Sequence, residues 1–578
     1  MNHLLAEPPD LRIGHPTDGD GMTAAPLLTM LVPDFPFSYD EYLSHRAGLG
    51  SIPQDAQGTE VAVIGAGMAG LVAAHELMRL GLRPVVYESA HLGGRMRSVR
   101  FDGPESPAAD LGAMRFPASG RAFFHYVDAC DVSTRPFPNP LSQATSSTVI
   151  ELAGVRHYAQ TIQDLPPLFR DVAAAWADCL DEVGRETIQA AISARDTRAI
   201  KLLWNELVGR LDDESFYGFL ARSRAFRAAP FSFRETFGQV GFGTGGWDTD
   251  FPNSILEVLR VVFTNADIDQ RRIIGGADTV ARALWKHPAQ GLMHWPHGTS
   301  LAALHPAGPR VGVKAVHRVS PTAISVEDRL GNSATYPAVV ATCQTWLLSA
   351  QIDCDESLFS QELWAAMERS HYMQSSKTFV MVDRPFWLDR DPSTGRDVMS
   401  MTLTDRLTRA TYLLDDGPDR PALICLSYTW NDDALKWLAL DPDERVRLML
   451  HSLRKIYPDV DIAAHIRGKP ITVSWESDPN FMGAFGNNLP GHYRYQRRLF
   501  THFMQDNFLD RHRGIYIAGD DISFTSGWAE GAVTTALNAV WAVQKQLGGQ
   551  SHSENPGPGD RFHELAPVDL DSISEQTK

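Results

Sequence analysis

The chain has 578 residues, 43% hydrophobic and 21% charged, which is enough material for a large core of ordinary globular composition. Its net charge of -17 speaks against a nucleic-acid groove or an anionic membrane surface as the main partner. The five cysteines (Cys130, Cys179, Cys343, Cys354 and Cys425) are odd in number and contain no CxxC pair, so neither a disulfide framework nor a zinc site is expected.

The first residues, "MNHLLAEPPDLRIGHPTDGDG", lack a basic region followed by an apolar core, and no run of ~18 apolar residues occurs. A cytoplasmic protein without a membrane span is expected. Residues 1–22 read as mobile because they are rich in Pro, Gly and Asp.

"VAVIGAGMAGLVAAHELMRLGLRPVVYES" follows at 61–89. A strand over Glu60–Ile64 is almost wholly apolar, as a strand covered on both faces must be. Gly65 permits a tight turn, Gly67 lets the backbone approach a pyrophosphate, and Gly70 lets the next helix pack close to the strand. That helix starts near Met68 and aims free N–H groups at phosphates. Glu88 ends the second strand, 18 residues beyond Gly70, where an acid meets ribose hydroxyls. The combination predicts a dinucleotide site. "HLGGRMRSVRF" then supplies Gly93, Gly94 and Arg95, the last a fixed positive charge for the pyrophosphate.

Residues 163–224 carry apolar side chains at three- and four-residue spacing and predict several helices. "GFGTGGWDTDFPNSILEVLR" reads as a loop over 241–253 leading into a helix that starts near Asn253 or Ser254. Short β-like runs come next: "VGVKAVHRVS", "AISVED", "AVVATC", "KTFVMVD" and "ALICLSYTW". "GIYIAGDD" reads as a buried strand with a second glycine turn at Gly519–Asp520, and "GWAEGAVTTALNAVWAVQKQL" as a long helix. The Gly/Pro-rich stretch after Leu547 predicts a flexible tail over 549–578. The scattered histidines show no HxxxH or HExxH spacing, and no metal site is expected.

"VAVIGAGMAGL", "GGRMRS", "DLGAMRFP", "SSKTFV", "SYTWNDD" and "IYIAGDDISFTSGWAEGA", in this order from about Phe37 to Leu547, resemble the flavin-dependent amine oxidases. Within them the likeness is to the branch of bacterial L-amino-acid oxidases and tryptophan and lysine 2-monooxygenases. The resemblance implies an α/β fold: a discontinuous Rossmann-like FAD domain (58–115, 275–348 and 510–548), a mixed-sheet substrate domain (116–160 and 349–509) and a helical region (161–274), with 1–57 as an N-terminal segment. It assigns the cofactor to Gly65, Gly67, Ala69, Gly70, Glu88, Gly94, Arg95, Met114, Arg115, Val316, Gly519, Asp520 and Trp528. Covalently bonded FAD in the family needs a cysteine near the C-terminus. None lies after Cys425, so non-covalent FAD is expected.

The resemblance also assigns the substrate site. Arg115 clamps the α-carboxylate, and a bidentate guanidinium there aims the Cα–H bond; the structural alternative is an ion pair with Asp110. Tyr412 adds a hydrogen bond to the carboxylate, with Tyr428 as its competitor. Lys377 holds a water near the flavin. Trp528 and Trp430 are aromatic walls, and Gly527 offers a carbonyl to the amine. Asp248 and Asp250 in the glycine loop suit a cationic side chain, whereas Trp247, Trp430 and Trp528 suit an aromatic one.

The expected reaction is oxidation of an L-amino acid at Cα by hydride transfer to FAD, with O2 as acceptor. A 2-oxo acid, ammonia and hydrogen peroxide result in an oxidase, the first reading, with a basic amino acid as substrate. An amide and carbon dioxide result in a 2-monooxygenase, the alternative. Polyamine oxidation is a further alternative that Arg115 opposes, and a non-enzymatic flavoprotein is the remaining one. A homodimer or higher homo-oligomer is expected, with no nucleic-acid partner.

Overall fold

The computed structural model describes residues 28–103, 106–240, 250–292 and 294–572. Glu60–Ile64 is the centre of a five-stranded parallel sheet. Its order is Arg310–Val311, Arg83–Glu88, Glu60–Ile64, Val339–Ala341 and Ile515–Ile517. Val61, Ala62, Val63 and Ile64 are buried because both faces of the parallel sheet are covered: Val61 and Val63 pack with helix Met68–Arg79, and Ala62 and Ile64 with Val316, Ile324 and Val326 of a second sheet. Helix Met68–Arg79 lies against this sheet and packs on the long helix Ala529–Gln546, so every residue from Met68 to Met78 is buried. Gly70 makes this contact possible: a Cβ there would lie 1.9 Å from the Gly65 carbonyl oxygen.

A second, four-stranded sheet carries Val313–Ser320 between Ala323–Asp328 and Asp353–Cys354. A third sheet has seven strands, drawn from Thr148–Ala159 and from Ser375–Ser474. Its neighbours run antiparallel except Met401–Thr404 beside Thr148–Leu152, which makes it mixed. Helices from Pro167–Glu182 to Ile255–Phe263 form a further layer, whose buried faces include Trp176, Trp204 and Phe237 and which touches the third sheet through Phe231–Val240.

Three boundaries differ from the sequence reading. Strand Gln270–Ile273 falls inside the stretch read as helical, and it joins Phe116–Pro117 and Thr134–Pro136 in a small antiparallel sheet. Asp353–Cys354 pairs with Val313–Ser320, so the second sheet extends past residue 348. The segment read as a flexible tail is packed over 549–572. Asn555 Nδ2 donates to the carbonyls of Tyr42 (3.0 Å) and Gly48 (2.9 Å), and Leu565 is buried. Arg498 pairs with Asp571 at 2.7 Å. Gly557 and Gly559 lie flat on the Trp541 ring, where a Cβ would come within 2.3 and 2.1 Å. Glycines that suggest looseness serve here as a close-contact surface. No helix among the described residues is long and apolar enough to cross a membrane.

Candidate active site

A cavity of about 320 Å³ opens at the carboxyl ends of the parallel strands. Gly65, Glu88, Thr342 and Gly519, each at or just after a strand end, line it, as expected for a ligand site in an open α/β sheet. The first turns of helices Met68–Arg79 and Ala529–Gln546 also border it through Met68, Ala69, Ala529 and Ala532.

The half of the cavity around Gly65 is a backbone cradle. Gly65 adopts φ 107, and Gly67 caps the helix without a side chain, so its first N–H groups stay available for an anion. Glu88 accepts from the N–H groups of Ala66 (2.7 Å) and Ala90 (2.7 Å), which fixes the turn. Gly93 and Gly94 both have positive φ, and Gly93 bridges to Gly67. Arg95 forks onto Asp520, its Nη1 at 3.1 Å from Oδ2, and ties the two glycine turns together. Gln344 Oε1 and Ser526 Oγ on the same wall are buried without a hydrogen-bond partner. A long polar cradle ending in orphaned polar atoms fits FAD.

The other half carries the ionisable groups. Lys377 sits in the third sheet on strand Ser375–Val382 and is 2% exposed. Its Nζ donates to the carbonyls of Asp110 (3.2 Å) and Gly112 (2.5 Å) and lies 4.7 Å from the Tyr428 ring centroid. Burial is the main cause that pulls its pKa down to about 8, with the charge of Arg115 adding a little. The loop those carbonyls belong to is clamped elsewhere too. Trp475 Nε1 donates to Leu111 O at 3.0 Å, and Gly112 passes so close to Arg95 that a Cβ would meet its carbonyl oxygen at 1.7 Å.

Arg115 ends this clamped loop. Its guanidinium carbon lies 5.8 Å from the ring centroid of Phe137, 6.0 Å from Tyr412 and 5.7 Å from Tyr428. Among the described residues no carboxylate pairs with it. Asp110, the alternative partner, accepts from Ser98 Oγ (2.6 Å) and Ala277 N (2.8 Å) instead. Trp430 and Phe485 meet edge to face at 5.4 Å and line the cavity with Trp528 and Gly527.

Of the residues singled out from the sequence, Gly65, Gly67, Ala69, Glu88, Gly94, Arg95, Met114, Arg115, Asp250, Lys377, Trp430, Gly519, Asp520, Gly527 and Trp528 share this one cavity. Gly70 lies behind it at the helix–strand contact. Tyr412 and Val316 are not on its wall. Tyr412 is fully buried behind Arg115, and Tyr428 from the next strand borders the cavity in its place. Val316 is packed in the second sheet, whereas Val313 borders a smaller hollow with Ser89 and Gly312. The clue was Gly312, whose backbone approaches Ser89 so closely that a Cβ would sit 2.5 Å from the serine Cβ. Asp250 is buried on the wall and accepts from Asn253 Nδ2 at 3.3 Å. Asp248 and Trp247 lie outside the described residues. Phe485, Glu257 and Asp267 also line the cavity and carried no sequence signal. No cluster of His, Cys, Asp and Glu able to hold a metal occurs among the described residues.

The family model for flavin containing amine oxidoreductases matches residues 68–544. The chain belongs to this family. It is an FAD-dependent oxidoreductase. The chain is 32% identical over 566 residues to a tryptophan 2-monooxygenase of Pseudomonas savastanoi, a match covering 90% of this chain and 96% of that protein. It is 24% identical over 544 residues to an L-amino-acid oxidase of Siganus canaliculatus, covering 88% of this chain and 90% of that one. Among solved structures, wild-type putrescine oxidase bound to putrescine superposes with a TM-score of 0.61 at 18% identity, covering 84% of this chain and 98% of the other. This last likeness is one of fold.

Proposed function

We propose that this amine oxidoreductase is an amino-acid 2-monooxygenase. An L-amino acid and O2 would give the amide one carbon shorter, CO2 and water. The tryptophan 2-monooxygenase likeness supports this ending over the oxidase ending placed first in the sequence reading. Oxidation to a 2-oxo acid, ammonia and hydrogen peroxide is the second reading, supported by the more distant L-amino-acid oxidase.

The observation that carries an amino-acid substrate is Arg115. It is a cation ringed by three aromatic rings, facing the cavity without a carboxylate partner among the described residues. A substrate carboxylate supplies that partner through two parallel hydrogen bonds and thereby fixes Cα. Phe485, Trp430 and Trp528 line the same cavity with apolar surface that excludes water. FAD, bound non-covalently in the cradle, supplies the hydride acceptor and the reaction with O2.

Lys377 holds or moves a proton at its Nζ near the reacting carbon. With a pKa near 8 it exchanges a proton around neutral pH, which an ordinary lysine does not. The test is a panel of L-amino acids plus putrescine, with amide, CO2, 2-oxo acid, ammonia and peroxide measured together. Oxidation of putrescine but of no amino acid removes the assignment.

A further inference from the structure

Most charged groups on the cavity wall already have partners. Glu88 is bonded to two backbone N–H groups, and Asp520 to Arg95. Glu257 accepts from Arg260 Nη1 at 2.7 Å and Asn488 Nδ2 at 2.9 Å. Asp250 accepts from Asn253.

Asp267 is different. It lines the cavity, is 8% exposed, and neither carboxyl oxygen has a hydrogen-bond partner. Asn253, also on the wall and 1% exposed, leaves its Oδ1 without a donor. Buried acceptors are almost always satisfied in native proteins. Unmatched acceptors on a ligand cavity are satisfied by ordered water or by donors on the ligand. Burial raises the Asp267 carboxyl to about 6, so the group is still mainly ionised at neutral pH.

Arg115 is the opposite case, a cation without a carboxylate partner among the described residues. Each precedes a strand of one small sheet, Phe116–Pro117 for Arg115 and Gln270–Ile273 for Asp267. Phe116 and Pro117, just after Arg115, pair with Arg271 and Gln270, and Ala118 N donates to Asp269 O at 3.1 Å. The antiparallel register carries the chain towards Asp267 as it leaves Arg115, so the charges sit apart instead of neutralising each other. Such a cavity complements a ligand with an anion at one end and a cation at the other.

We propose that Asp267, assisted by Asn253 Oδ1, receives the positively charged end of the substrate side chain, and that the substrate is an L-amino acid ending in an ammonium or guanidinium group. This rests on the amino-acid reading above.

The probes are 6-aminohexanoate and hexanoate. Neither can be oxidised at Cα, because both lack the α-amine. Binding to the FAD-loaded enzyme is followed by calorimetry and by the flavin spectrum. Wild type is expected to bind 6-aminohexanoate at least tenfold more tightly than hexanoate. Asp267→Asn and the apolar Asp267→Leu are expected to erase that preference while keeping FAD and the fold. In turnover, the ratio of kcat/KM for L-lysine to that for L-norleucine should fall by the same factor. A preference kept in both variants, or absent from wild type, overturns the subsite. Wild-type turnover of L-tryptophan in preference to L-lysine, unchanged by Asp267→Asn, overturns it while leaving the amino-acid reading intact. Failure to oxidise any amino acid overturns that reading, and the binding result decides the subsite separately.

Discussion

Lys377 and Tyr428 pair across neighbouring antiparallel strands, with the lysine Nζ 4.7 Å from the tyrosine ring centroid. The ammonium therefore meets a π face and two backbone carbonyls instead of a carboxylate. Burial then dominates and holds its pKa near 8. Lys377→Met is expected to remove a limb near pH 8 from the kcat/KM profile, and to slow the steps after flavin reduction more than reduction itself. Stopped-flow traces with a defect confined to reduction would contradict that role.

The same shift predicts a stability effect. Between about pH 8 and the ordinary lysine value the unfolded chain binds more protons than the folded one, so stability rises with pH across that window. Lys377→Met removes a buried charge whose cost is greatest below pH 8. Its stabilisation relative to wild type, on the order of 1–3 kcal/mol, should therefore shrink as pH rises through that window. Urea unfolding at several pH values checks the sign.

Arg115→Ala should keep the flavin spectrum and lose roughly a hundredfold or more in kcat/KM, equivalent to ~2–5 kcal/mol for a buried charge-assisted contact. Arg115→Lys should recover only part of this, because an ammonium cannot bind a carboxylate through two parallel hydrogen bonds. Near-wild-type efficiency in the alanine variant would take Arg115 out of the substrate site.

Gly70→Ala places a methyl group 1.9 Å from the Gly65 carbonyl oxygen, so the helix must move off the strand. The variant is expected to purify colourless or with FAD bound at least tenfold more weakly, measured by fluorescence titration. In wild type, acid or heat should release all the flavin. Cys343 is the one cysteine on the cavity wall, and burial raises its thiol pKa, away from the reactive thiolate. Flavin left on the denatured protein would contradict non-covalent binding.

The packed C-terminal segment gives a prediction independent of catalysis. Gly559→Ala puts a Cβ into the Trp541 ring and should destabilise by ~1–3 kcal/mol, the usual cost of overpacking. Removing everything after Leu547 uncovers Trp541 and deprives Phe35 and Phe503 of Phe562, so it should lower Tm further. An unchanged Tm in both would mean that the segment contributes no stability.

The glycine motif was legible because strand, turn, helix and acid lie within thirty residues and each needs a residue type that names itself. Other assignments depended on pairing that no local pattern fixes. Tyr412 and Tyr428 lie on adjacent strands, and an irregularity between Ala410 and Tyr412 shifts their register. That shift decides which ring reaches the cavity. Val313 and Val316 are three positions apart on one strand, and a bulge between Val313 and Ala315 keeps both on the same face, so position along the strand, not face, decides which of them borders the hollow. The unsatisfied state of Asp267 arises from groups distant in sequence, so its residue type alone carried no sign of it. Gly557 and Gly559 misled because composition cannot tell a flexible glycine from one pressed against a tryptophan.

The most direct test mixes the enzyme with single L-amino acids, first without oxygen and then in air with catalase present. The account predicts that at least one L-amino acid bleaches the flavin anaerobically, and that in air each O2 consumed yields one CO2 and one amide. Bleaching by putrescine and by no amino acid, or formation of a 2-oxo acid and ammonia without CO2 from every substrate, would contradict it.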